Sequence, residues 1–103
     1  MPHPSAEEVI PIGPGMEHPK LLFRADVTYS QTAWAMKRGG VALAKCVIEL
    51  DGSLSNCRMV HGIPDMDEPI LQSLRSWRYT PVTYRGHPQR VLMTIPVHIA
   101  VPQ

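Results

Sequence analysis

The sequence predicts an α+β domain: a three-stranded antiparallel sheet in the spatial order 2-1-3, with two helices on one face and the element order α-β-β-α-β. Three observations predict it. Asp51-Gly52 stands between two β-rich runs, which is the strongest short hairpin signal because both turn positions tolerate positive φ. Val91, Met93, Ile95, Val97, Ile99 and Val101 recur at period two, the alternation of a long strand. Between these, Ile70, Leu71, Leu74 and Trp77 mark one face of a helix. A chain of 103 residues builds one core, and 44% hydrophobic against 18% charged residues with net charge +1 excludes both a disordered chain and a strongly basic nucleic-acid binder.

Residues 1–20 carry five of the eleven prolines (Pro2, Pro4, Pro11, Pro14 and Pro19) and read as the end of a semi-rigid, extended spacer, with the domain proper at 21–103. Leu21-Leu22-Phe23 breaks that polarity as a short strand or packed arm. Ser30 is an N-cap residue for a helix over Gln31 to Arg38, with Tyr29, Ala33 and Met36 at helical spacing and Gly39-Gly40 as its stop. Trp34 lies off that face, as an exposed contact. Val41 to Leu50 and Leu54 to Val60 form the first two strands. After the loop from Gly62 to Asp67, Asp67 caps the second helix and Pro69 sits in its first turn; the helix ends near Tyr79, before Pro81. A polar turn through Tyr84-Arg85-Gly86-His87-Pro88 leads into the last strand.

The second helix returns the last strand beside the first, which makes the first strand central and the last an edge. Ala42, Ala44, Cys46 and Ile48 line one face of that central strand, and Val41, Leu43 and Val47 line the other. One helical layer covers one face. The second is therefore expected to be shielded by the arm at Leu21 to Phe23 or by a partner.

Cys46 and Cys57 are too few for a zinc site and are not a C-x-x-C redox pair. A two-residue turn at Asp51-Gly52 sets them directly opposite, within disulfide reach. A three-residue turn at Leu50-Asp51-Gly52 sets Asn56 opposite Cys46, and a bridge then needs a further bulge in the second strand. Two buried thiols acting as small hydrophobes are the alternative to a bridge. The sequence has no Gly-rich phosphate loop, H-E-x-x-H or nucleophile elbow, and His3, His18, His61, His87 and His98 are scattered, so no catalytic residue, metal or cofactor is expected. Asp65, Asp67 and Glu68 suit a helix start. After Glu68 only Arg75, Arg78, Arg85 and Arg90 are charged, a basic face of +4. The strands lack the aromatics of an RNA-binding sheet, so no nucleic acid is expected.

Tyr29-Ser30 to Ala33, Gly40, Asp51-Gly52, Leu71-x-x-Leu74-Arg75-x-Trp77-Arg78-Tyr79-x-Pro81, Gly86-x-Pro88 and Ile95-Pro96-Val97 together resemble the TonB C-terminal domain family, over roughly Leu21 to Val101. The chain departs from the family in Tyr29-Ser30, where Tyr-Pro is common, and in Lys37-Arg38, where Gly-Ile is usual. The resemblance implies a non-enzymatic periplasmic domain of an inner-membrane protein, with its membrane anchor upstream of this chain. It implies coupling to an ExbB/ExbD-like motor and to a peptide of an outer-membrane TonB-dependent transporter or another envelope protein. It also implies that the peptide, the TonB box, adds as a strand to the edge of the last strand. Carried over by position, the grip is Gln89, Arg90, Val91, Leu92, Met93 and Thr94, flanked by Asp26, Val27, Thr28 and Tyr29. Pro96 limits pairing toward the strand's end. Trp77 and Tyr79 are read as core anchors. An edge strand also allows a symmetric homodimer. The alternative is a structural domain of an envelope-spanning motility or adhesion assembly on the same fold.

Overall fold

A computed structural model describes residues 8–102. The first seven residues of the expected spacer, with Pro2, Pro4 and His3, lie outside the described residues. In chain order the elements are β1 (Val9–Pro11), β2 (Leu21–Phe23), α1 (Gln31–Ala35), β3 (Gly40–Ile48), β4 (Leu54–His61), α2 (Asp67–Leu74), β5 (Arg78–Tyr79), β6 (Thr83–Tyr84), β7 (His87–Pro88) and β8 (Arg90–Ile99).

The main sheet has four strands, not three, in the order β1-β8-β3-β4. β3 is central and antiparallel to both β4 and β8. The fourth strand, β1, comes from the segment expected as spacer and runs parallel to β8, pairing Val9 with Arg90, Ile10 with Val91 and Pro11 with Leu92. The sheet is therefore mixed. Leu21–Phe23 does form a strand, but it pairs with β5 in a separate two-stranded ribbon.

The core lies between α2 and the sheet face carrying Ala42, Ala44, Cys46 and Ile48 from β3 and Val91, Ile95, Val97 and Ile99 from β8. Ile70 and Leu74 of α2 and Ala33 of α1 are buried in the same cluster, as are Trp77 and Tyr79. The opposite face is only partly covered. Register aligns Pro11, Leu92 and Val47 across three strands, and Val47 is buried while Leu43 is half-buried and Val41 stays exposed. The cover expected from Leu21–Phe23 is absent, because those three side chains are themselves exposed.

Ser30 caps α1 as the sequence indicates, its Oγ accepting from Ala33 N at 3.0 Å. The helix ends at Ala35, three residues before the expected Arg38. A Schellman turn closes it: Lys37 N donates to Trp34 O at 3.2 Å and Arg38 N to Ala33 O at 2.9 Å. Lys37 stands at the left-handed position with φ 52°, where glycine is the residue without steric cost. α2 ends at Leu74 rather than near Tyr79. Ser76 N and Trp77 N turn back onto the carbonyls of Ser73 and Leu74, and Tyr79 joins β5. Asp67 is the first helical residue rather than the cap. Its carboxylate instead accepts from Ile63 N at 3.0 Å and so closes the loop before the helix.

The hairpin adopts the longer turn. Glu49 N donates to Ser53 O at 2.8 Å around Leu50-Asp51-Gly52, with Gly52 at φ +85°. A bulge then shifts the β3–β4 register between Lys45 and Val47, with Asn56 at φ 49°, and brings Cys57 opposite Cys46. The two are disulfide-bonded with Cα atoms 4.1 Å apart. This is the second of the two registers, with the additional bulge it requires.

Candidate functional site

The last strand is not the sheet edge expected of it: β8 lies between β3 and β1, and β1 holds its outer side over Arg90–Leu92, so only the remainder of that outer edge is uncovered. Because N–H and C=O of one strand residue point the same way, Ile12 N donating to Leu92 O at 3.1 Å sets the direction for the whole strand. Leu92, Thr94, Pro96 and His98 present their backbone groups away from β3, whereas Met93, Ile95 and Val97 bond to it. Pro96 therefore removes a donor from the open edge and none from the β3 ladder.

That edge divides into three parts. The chain's own β1 pairs with Arg90–Leu92. At the far end Arg24 Nη2 donates to His98 O at 3.2 Å and the Tyr29 hydroxyl donates to Ala100 O. Between them Thr94 and Pro96 have no bonded neighbour on that side among the described residues.

Gln89 immediately precedes β8 and is buried. Its Nε2 donates to Glu8 O at 2.6 Å and Arg90 O at 3.1 Å, while its backbone N–H donates to Val82 O at 2.8 Å. Arg90 forks onto Glu49, Nε to Oε1 at 2.7 Å and Nη2 to Oε2 at 3.0 Å. That hydrogen bond is the main reason the Glu49 carboxyl lies below its ordinary value, with Ser55 assisting against the cost of burial. Val91 faces the core, Leu92 and Met93 are half-buried, and Thr94 is exposed.

Asp26, Val27, Thr28 and Tyr29 lie in the segment that meets the other end of β8, so the structure does not bring these residues together with Gln89–Leu92. Tyr29 alone of the four donates to the strand's terminal stretch, and it packs edge-on against the exposed Trp34, centroids 5.6 Å apart. The segment is fixed from below: Ser73 Oγ accepts from Trp77 Nε1 at 3.0 Å and donates to Ala25 O at 2.9 Å. Arg24 lies over the Trp77 ring, 5.2 Å from its centroid. Arg24 and the segment Glu8 to Ile12 contact the edge; the sequence did not single out Arg24, and residues 8–12 read as spacer. Between this segment and α2 lies a groove of about 910 Å³ carrying Asp26, Asp65, Asp67 and Glu68, with Arg38 Nε 3.3 Å from Asp65.

No group of three or more metal-ligating side chains forms among the described residues, and none of their helices is long and apolar enough to cross a membrane. No curated protein matches the chain. The model of the family described as Gram-negative bacterial TonB protein C-terminal matches residues 25–98, beginning after β1 and β2. With most of its length matched, the chain belongs to the family of Gram-negative bacterial TonB protein C-terminal domains.

Proposed function

We propose that this is the periplasmic, partner-binding domain of a TonB-type energy transducer, and that it grips an extended peptide of an outer-membrane partner by strand addition along β8. In this reading the force comes from an ExbB/ExbD-like motor at the inner membrane, and this domain is the end that holds the partner. The observation that carries the reading is the outer side of β8, which already holds a parallel strand of the chain itself at Arg90–Leu92 and, among the described residues, is open beyond it at Thr94 and Pro96. A peptide held there and loaded along its length must break several backbone hydrogen bonds together, which suits a grip that transmits force. The work asked of the domain is binding, and no residue is assigned a catalytic role.

The test is calorimetric titration of the chain with TonB-box peptides of outer-membrane TonB-dependent transporters, beside a Thr94→Pro variant. That substitution removes one outward donor and leaves the β3 ladder intact. Saturable binding by the parent chain, weakened at least about tenfold in the variant, supports the reading. No binding at millimolar peptide overturns it in favour of a structural domain of an envelope assembly.

A further inference from the structure

We infer that the segment Val9–Ile12 is a resident occupant of the peptide-docking edge, so that a strand-adding ligand must displace it and must resemble it. The inference rests on the proposed strand addition and adds to it an intramolecular competitor, a direction and a side-chain pattern.

Space gives the first argument. The unpaired stretch of β8 between the arm and the Arg24 and Tyr29 contacts is centred on Thr94 and Pro96. Strands in folded proteins usually pair over about five or six residues. The open stretch 93–97 is only five residues long and Pro96 offers no donor in it, so a ligand that makes more backbone bonds than Thr94 and Pro96 supply extends onto Arg90–Leu92, where the arm already sits.

The arm is built as a strand rather than as passing chain. Ile10 and Ile12 are half-buried and pack against the core cluster. Ile12 N donates to Leu92 O, and the buried Gln89 side chain donates to Glu8 O. The backbone of Pro11 faces away from β8, so its missing N–H costs no bond to β8 and leaves the new outer edge a poor template for a further strand. Beyond Ile12 a turn carries the chain off the edge, Met16 N donating to Gly13 O at 3.2 Å with Gly15 at φ +82°. The arm also lies outside the family match, which begins at residue 25, so it is an addition to the matched domain.

The ligand class follows from what the arm leaves behind. It is an extended peptide running parallel to β8, with apolar side chains two residues apart in the places of Ile10 and Ile12. It also offers a backbone carbonyl to Gln89 Nε2 in the place of Glu8 O.

The experiment uses residues 1–103 with Ile10→Asp and Ile12→Pro together, which remove both isoleucine anchors of the arm and the Ile12 donor. The labelled peptide is the chain's own Glu8–Pro14 sequence. Because a competent edge populated only fractionally weakens apparent affinity by that fraction, the opened variant should bind the peptide at least about tenfold more tightly than the parent. In the parent, the amide of Ile12 should exchange slowly and lose protection when the peptide is added in excess. Equal affinity for both chains, or no binding to the opened variant, overturns the inference. A TonB-box peptide that binds neither chain overturns the proposed function instead, and own-peptide binding can survive that result.

Discussion

Gln89 and Glu8 are 81 residues apart in the chain and are joined where the arm meets the last strand, Gln89 Nε2 donating to Glu8 O at 2.6 Å. Gln89 is buried, and its backbone N–H is committed to Val82 O. The bond therefore ties the arm, the β6–β7 region and the start of β8 at one point. Replacing Gln89 with Leu keeps the bulk and removes the donors; the amide of Ile12 should then exchange measurably faster while the disulfide-linked hairpin keeps its protection.

Lys37 closes α1 in a left-handed conformation that glycine adopts freely. Lys37→Gly should stabilise the domain by about 1 kcal/mol, read as a rise in the urea midpoint at constant slope.

Gly52 is constrained from both sides. Its φ is +85°, and a Cβ there would lie 1.9 Å from Tyr79 O. Tyr79 N also donates to Gly52 O at 2.9 Å. Gly52→Ala should cost about 3 kcal/mol or more, because positive φ and a backbone clash act together; thermal unfolding measures it.

The Cys46–Cys57 bridge closes a short loop with sequence separation 11. Removing it as the Cys46→Ser, Cys57→Ser double variant should lower stability by about 3 kcal/mol on the chain-entropy account. Oxidised chain should show no free thiol among its two cysteines.

Glu49 makes stability fall in acid. Its carboxyl, held below the ordinary 4.5 chiefly by the Arg90 hydrogen bond, contributes fully above that value and loses its contribution as pH falls through the folded-state pKa. Glu49→Gln should flatten this limb of the stability profile below pH 4.5 and leave the neutral-pH slope unchanged. Denaturant midpoints at stepped pH check it. Because the pair is partly exposed, added salt should shrink the effect.

Much of the domain could be read locally. Ser30 offers a hydroxyl where the helix begins, Asp51-Gly52 supplies the positive φ of a hairpin, and Val91 to Ile99 alternate because one face of β8 is buried. Trp77 and Tyr79 are buried as expected. What local reasoning misses is set by distant partners. The bulge at Asn56 is a register adjustment between two strands, and either turn length was compatible with the sequence. Helix α2 stops early where the chain is drawn into extended pairing with distant segments, Tyr79 beside Leu21 and Tyr79 N donating to Gly52 O. β1 is three residues with a proline among them, pairing with a strand about eighty residues later, and nothing in Val-Ile-Pro announces it. At the candidate site, Val91 to Thr94 could be placed on the last strand from alternation, and Gln89 and Arg90 came only with the family resemblance. The separation of Asp26–Tyr29 to its other end could not, because it depends on how the segment after β2 crosses the fold.

Amide hydrogen exchange along β8, with and without a TonB-box peptide, tests the strand-addition account most directly. The account predicts new protection at the outward amides of Thr94 and His98, with no change at Met93 and Ile95, which β3 already holds. Unaltered exchange at Thr94 and His98 under saturating peptide, or protection appearing only elsewhere on the domain, would contradict it.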